Sequence, residues 1–270
     1  MRVVDLDRDM ADVIPTGTTR DSAHLFERMT AVALALATPP ADGSVLDVAS
    51  GFGQDALALA ARGLRVVGAE PSARMSGWAR LQAASAAGAP PRYVRAWSDA
   101  LPFADASFDA VLCKGALDHF DRPERAIAEM ARVTRGDGRV VLAIANFGSF
   151  ACRAARGFDD VREGWLGRPA ARGRRHYDVP ADHFTRYDLA LMREQAGRHL
   201  ALDAVEGISL AWGLPAWTRL VERLPEAAAR RALRALDGLA RRLPRYADVV
   251  VLAGRPRRAT ATARSASTSR

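Results

Sequence analysis

Apolar and polar positions follow two rhythms along this chain, and the change between them marks out most of the elements. Short apolar runs recur at 45–48, 64–69, 92–96, 107–113, 139–145, 200–208 and 247–253, the lengths expected of buried strands. Between them lie stretches with helical spacing. They cover 21–37, stopped by Pro39 and Pro40; 55–62, closed by Gly63; 72–87, with Ser72 as N-cap; and 123–135, with Pro123 in its first turn. A further helix is expected over 182–197, then a helical pair over 212–243 in which Leu233, Leu236, Leu239 and Leu243 recur at near-helical intervals. Gly136-Asp137-Gly138 predicts a left-handed turn closing helix 123–135. Residues 147–182 show little periodicity and read as an irregular insertion between the fifth strand and its next helix. The whole is an α/β pattern.

The densest chemistry lies at 44–56. Asp47 interrupts an apolar strand, Gly51-Phe52-Gly53 follows, and a helix begins at Asp55. Strand, glycine turn and helix start make a cofactor cradle, because glycines let the backbone approach a ligand closely and the helix start offers unpaired N–H groups. The spacing Gly51-x-Gly53-x-x-Ala56 fits the loose dinucleotide fingerprint. Asp47 argues against it, since a carboxylate there repels two phosphates and attracts a cation. S-adenosylmethionine has no phosphate and carries a sulfonium and an ammonium. Glu70 ends the next strand, where an acidic side chain reaches ribose hydroxyls in an open α/β sheet.

Four segments extend this pattern in order over residues 44–145: LDVASGFG, VVGAEPSARM, WSDALPFADASFDAVLC and RVTRGDGRVVLA. Together they resemble the class I S-adenosylmethionine-dependent methyltransferases, in particular the type 11 small-molecule group. The resemblance implies a seven-stranded Rossmann-like sheet of order 3-2-1-4-5-7-6, with strand 7 antiparallel and helices on both faces. It implies S-adenosylmethionine as cofactor, S-adenosylhomocysteine as product, and a cofactor site of Asp47, Ala49, Ser50, Gly51, Gly53, Glu70, Pro71, Met75, Asp99, Ala100, Cys113 and Lys114. There Met75 lies against the adenine, Asp99 takes its amino group and the Ala100 N–H a ring nitrogen. His119, after the fourth strand, is the candidate catalytic base. Plain alternatives stay open: core packing for Met75, a turn cap for Asp99 and a structural histidine at 119. By the same resemblance 20–38 covers the cofactor, with Arg20 and His24 as neighbours, and 147–182 forms a lid that brings Trp165, Tyr177 and arginines to the acceptor.

Composition narrows the rest. At 270 residues and 49% hydrophobic, the chain can bury a full core in one domain over 1–254. Its parts would be a cover helix at 20–38, a cofactor core at 44–145, the lid-like insertion, and C-terminal helices and last strand at 183–254. No apolar run approaches the roughly 18–20 residues of a membrane span, and the N-terminus has no signal-peptide core. Cys113 and Cys152 make no disulfide framework, so a reduced, cytoplasmic setting is expected. Of the net charge of +8, five arginines lie in 255–270, a tail without acids or core-forming residues that is expected to be disordered. Lys114 is the one lysine among 39 basic residues, which points to an arginine bias in composition rather than a nucleic-acid surface. The arginines of 212–243 are compatible with a peripheral membrane helix, but a cover helix with a solvated polar face is the reading taken. No Cys/His cluster has metal-ligand spacing, so no metal is expected. The expected partner is a small-molecule methyl acceptor, with O-, N- and C-methylation and the oligomeric state open. The alternatives are a cofactor-binding but catalytically silent module and an NAD-dependent oxidoreductase.

Overall fold

The computed structural model describes residues 18–86, 88–165, 167, 175, 177–178 and 183–257. The expectations for residues 1–17, for most of 166–182 and for the tail from 258 onward lie outside the described residues. The apolar runs become β1 (Ser44–Val48), β2 (Arg65–Ala69), β3 (Arg92–Val94), β4 (Phe108–Lys114), β5 (Thr134–Ala145), β6 (Leu200–Ile208) and β7 (Val249–Pro256). They stand side by side in the order β3-β2-β1-β4-β5-β7-β6. β1 to β5 pair in parallel, and β7 runs antiparallel between β5 and β6. This is the expected topology.

Helices α1 (Arg20–Ala37), α2 (Gln54–Ala60), α3 (Ala73–Ala84), α4 (Pro123–Val133), α5 (Phe150–Gly164), α6 (Leu189–His199), α7 (Pro215–Arg223) and α8 (Glu226–Arg242) complete the fold. The central strands are covered on both faces, which is why they read as unbroken apolar runs. On β4, Val111 and Cys113 pack with Ile127 and Met130 of α4 and Met192 of α6. Ala110 and Leu112, pointing the other way, pack with Leu25 and Leu34 of α1 and Leu59 of α2. Each such fully buried aliphatic side chain contributes about 1.5–3 kcal/mol, enough for these two layers to fix the strand register.

Three local expectations are corrected. Residues 150–164 are helical: Ser149 caps α5 by accepting from the Cys152 N–H at 3.2 Å. The periodicity was hidden because only Ala151 and Cys152 of this helix are buried, while Phe158 and Trp165 face outward, Trp165 at 90% exposure. The next helix starts at Leu189 rather than 182, since Asp188 is the cap and accepts from the Leu191 N–H at 2.9 Å. The turn at 136–138 is not left-handed, as neither glycine has a positive φ. The chain passes directly from α4 into β5, with the Thr134 hydroxyl donating back to the Met130 carbonyl at 2.6 Å. Gly138 is needed for space instead: a Cβ there would lie 2.6 Å from the Asp109 carbonyl oxygen.

Candidate active site

The turn after β1 is built by backbone strain and a carboxylate. Ala49 has φ 56°, Gly51 54° and Gly53 85°, a left-handed region costly for alanine and free for glycine. Ala49 N–H donates to the Ala69 carbonyl at 2.8 Å, which holds the turn against the end of β2. Glu70 then braces it from the other side. Its carboxylate accepts from the Gly51 N–H at 3.0 Å and from the Ser72 N–H at 2.9 Å. Ser72 in turn caps α3 through the Met75 N–H. Met75 is buried, and its Cε lies 3.8 Å from where a Cβ on Gly51 would be. Glycine turn, Glu70 and Met75 therefore form one surface.

Asp47 lies beneath that surface and is 3% exposed. Burial pushes its carboxyl well above the usual range. Asp55 and Glu70 add to this, while Lys114 and the Ala56 N–H oppose it. Lys114 at the end of β4 is fastened at 2.7 Å to the Thr30 hydroxyl of α1 and at 2.8 Å to Asp55. Cys113 is buried, and burial with nearby Asp47 and Asp118 raises its thiol. The Pro71 carbonyl accepts two bonds from Arg95, at 3.1 and 3.2 Å. Asp99 lies in the loop after β3, with Arg122 at 4.0 Å. The Ala100 N–H donates to the Trp97 carbonyl at 3.1 Å, so within the chain it already serves a turn. Arg20 and His24 sit elsewhere. Arg20 bonds the Leu224 carbonyl at 2.8 Å beyond α7, and burial lowers His24 in surroundings that include Asp237 and Arg28.

At the far side of β4 a second group forms. Gly115, with φ 64°, turns the chain into a 3-10 turn at Leu117–His119. Asp118 is 4% exposed, and its carbonyl accepts from the Phe184 and Thr185 N–H groups at 2.8 and 3.2 Å. That clamp brings His183 Nε2 to 2.9 Å from Asp118 Oδ2. His119 stacks on His183 with centroids 4.2 Å apart, and its Nε2 lies 4.0 Å from Asp118 Oδ1. Donor atoms of the three lie within 4.8 Å of one another. The short Asp118–His183 bond makes this first of all a carboxylate–imidazole pair, with a second imidazole laid against it.

The sequence reading missed Thr30, Asp55, Asp118 and His183. Each meets its partner across a long stretch of chain or by a turn invisible to periodicity. Only the segment Asp182-His183-Phe184-Thr185, with its acid, imidazole and hydroxyl, offered a signal, and it was absorbed into a helix start.

The acid set fits a cationic cofactor without phosphates: Asp47 Oδ2 is buried without a hydrogen-bond partner among the described residues. Comparison with known proteins agrees. A family model described as "Methyltransferase domain" matches residues 46–142. An uncharacterised methyltransferase of Mycobacterium tuberculosis is 34% identical over 206 residues, covering 71% of this chain and 76% of that protein. One from Mycobacterium sp. (strain JLS) is 45% identical over 105 residues, but the match spans 39% of this chain and only 40% of that relative's length. Among solved structures, the YcgJ protein of Bacillus subtilis has a TM-score of 0.56 at 18% identity, over 86% of this chain and 99% of that one. The [4+2]-cyclase SpnF has a TM-score of 0.58 at 18% identity, over 85% of this chain and 80% of that one. At such identities these last two speak for the fold. With sheet order, motif order and the Mycobacterium tuberculosis relative in agreement, the chain belongs to the class I S-adenosylmethionine-dependent methyltransferase family.

Proposed function

We propose that this protein transfers the methyl group of S-adenosylmethionine to a small-molecule acceptor held above the ends of β4 and β5. One observation carries the reading: a buried aspartate and a braced glutamate flank a glycine turn, where a dinucleotide would need its phosphates neutralised. When bound, the cofactor supplies a methyl on a positively charged sulfur. Asp47 is then the anion beneath the turn that favours a cation. Glu70 holds Gly51 in place and is near the ribose, Met75 is beside the adenine, and Asp99 faces its edge. Gly53, Ala49, Ser50, Pro71 and Ala100 contribute backbone shape, and Cys113 and Lys114 close the site from β4.

The chain's main task in such a displacement is to align the acceptor with the methyl, which in favourable systems lowers a barrier by about 7–11 kcal/mol. For a hydroxyl acceptor, His119 takes the proton as the oxygen–carbon bond forms and the carbon–sulfur bond breaks, the electron pair staying on sulfur. Asp118 Oδ1 lies beside it to balance the imidazolium, while His183 holds the other carboxylate oxygen, the division of labour of an orienting acid. In this reading α5, which follows β5 in the chain, is the candidate cover of the acceptor side. Calorimetry with S-adenosylhomocysteine, followed by an acceptor screen with methyl-labelled cofactor, tests the reading. Binding with no label transferred to any acceptor would instead favour a silent module, and tight NAD binding would favour an oxidoreductase.

A further inference from the structure

The group beside β4 holds a carboxylate oxygen that the chain leaves unanswered. Asp118 is 4% exposed, and its Oδ2 meets His183 Nε2 at 2.9 Å. Its Oδ1 is buried and has no hydrogen-bond partner among the described residues. His119 Nε2 lies 4.0 Å from that oxygen, beyond hydrogen-bond reach. One donor atom from each of the three residues lies within 4.8 Å of the other two. A buried charge is costly unless it is paired, and each unanswered buried polar atom asks for a reason. One imidazole answers only half of this carboxylate.

We propose that Asp118, His119 and His183 form a binding site for one divalent transition-metal ion. Two imidazoles and a carboxylate are a donor set suited to Zn²⁺, Co²⁺, Ni²⁺, Mn²⁺ or Fe²⁺, whereas Mg²⁺ and Ca²⁺ prefer oxygen ligands. Zn²⁺, for one, binds nitrogen and oxygen at about 2.0–2.2 Å, so it gathers donors that stand about 3–4 Å apart. The separations of 2.9 and 4.0 Å bracket that span. Three protein ligands leave further positions open, and His119, at 38% side-chain exposure, marks the open side. The expectation of no metal rested on ligand spacing along the sequence, which does not register ligands brought together from two distant segments.

The fold already holds the three ligands together. Gly115 turns the chain out of β4 with φ 64°, and the 3-10 turn at Leu117–His119 sets Asp118 and His119 in succession. The Asp118 carbonyl accepts from the Phe184 and Thr185 N–H groups at 2.8 and 3.2 Å, which fixes His183, one residue back, against it. Phe147 lies edge-on to the His183 ring, 6.5 Å between centroids, and limits how that ring can turn. Neighbours that orient the ligands are a regular part of a metal site. On the methyl-transfer reading, the ion would hold an acceptor oxygen in one of its open positions. His119 is then a ligand in the loaded chain and a base only in the metal-free one.

The test uses the untagged full chain, stripped with a chelator, and the metal alone. Titration with Co²⁺ followed by visible absorption, and with Zn²⁺ by calorimetry, should show one ion per chain with a dissociation constant of about 10 μM or tighter. His119→Gln, His183→Gln and Asp118→Asn should each weaken binding at least about tenfold, while His24→Gln, on α1, should bind like the wild type. His119→Gln changes the most exposed of the three ligands and carries the test if the other two do not fold. Absence of binding, binding that none of the three variants weakens, or an equal loss in His24→Gln would overturn the proposal. So would a preference for Mg²⁺ over both transition ions. None of these readouts involves cofactor or acceptor, so their failure leaves the methyl-transfer reading intact. Failure of S-adenosylhomocysteine to bind would overturn that reading and leave the metal site standing.

Discussion

Lys114 and Asp55 form an ion pair at 2.8 Å across the cofactor turn, and the same ammonium reaches Thr30 of α1 at 2.7 Å. One side chain therefore pins together a strand end, a helix start and the covering helix. Both partners are largely buried, at 21% and 12% side-chain exposure, so bulk water compensates poorly for a lost contact. Lys114→Met and Asp55→Asn should each destabilise by about 1–3 kcal/mol, the range for hydrogen bonds to charged groups. The double variant should cost clearly less than both losses together. Urea denaturation of the four proteins measures this, and simple additivity would show that the two groups do not act on each other.

Glu70 supports the turn through two backbone bonds, and in the proposed complex it also meets the ribose. Glu70→Ala should weaken S-adenosylmethionine binding by about 1–3 kcal/mol. Titration calorimetry should show that loss and should show no heat with NAD. A variant that binds like the wild type would remove Glu70 from the cofactor site.

His119 is the more exposed of the two stacked imidazoles. If it takes the acceptor proton, His119→Ala should slow methylation of a hydroxyl acceptor by about 10²–10⁴-fold with cofactor affinity unchanged. A change below about threefold in the same assay would make it a structural residue and the acceptor one that needs no base.

Asp248, at the entry to β7, is 3% exposed, and its Oδ2 accepts the Trp212 N–H at 2.8 Å. Burial raises it from 3.8 to about 7, chiefly against the opposing pull of that N–H. Its folded value lies above its unfolded one, so the stability it allows is fully present below pH 3.8 and is lost as pH rises toward about 7. Asp248→Asn cannot ionise and should escape that loss, gaining on the wild type by up to about 4 kcal/mol across this window. Thermal or urea denaturation at pH 4, 6 and 8 checks it; a constant difference would mean that Asp248 does not titrate there.

What could be read from the sequence was what is written in consecutive residues. β1, β2, β4 and β5 are apolar runs with motifs at their ends, and those ends carry Asp47, Glu70 and Lys114. The order of the sheet came from resemblance, which stands in for contacts between segments far apart. α5 was invisible because its aromatic residues face outward, contrary to the rule that apolar spacing marks a buried face. Gly138 looked like a turn glycine and proved to be a space-filling constraint against Asp109. His183 and Asp118 meet only because the segment after α5 returns to clamp the Asp118 carbonyl, and nothing local to either residue announces that return.

The antiparallel strand β7 has a consequence for how the molecule assembles. Among the described residues β6 is bonded to β7 and to no other strand of the sheet, although it is completed some forty residues earlier in the chain. Until residues 249–256 exist, β5 presents an open edge and β6 has no place to dock. A chain cut before that point loses two strands rather than one, and its uncovered edge invites pairing with other chains. Synthesis from the N-terminus can therefore finish the cofactor half early, while the acceptor half must wait for the last strand.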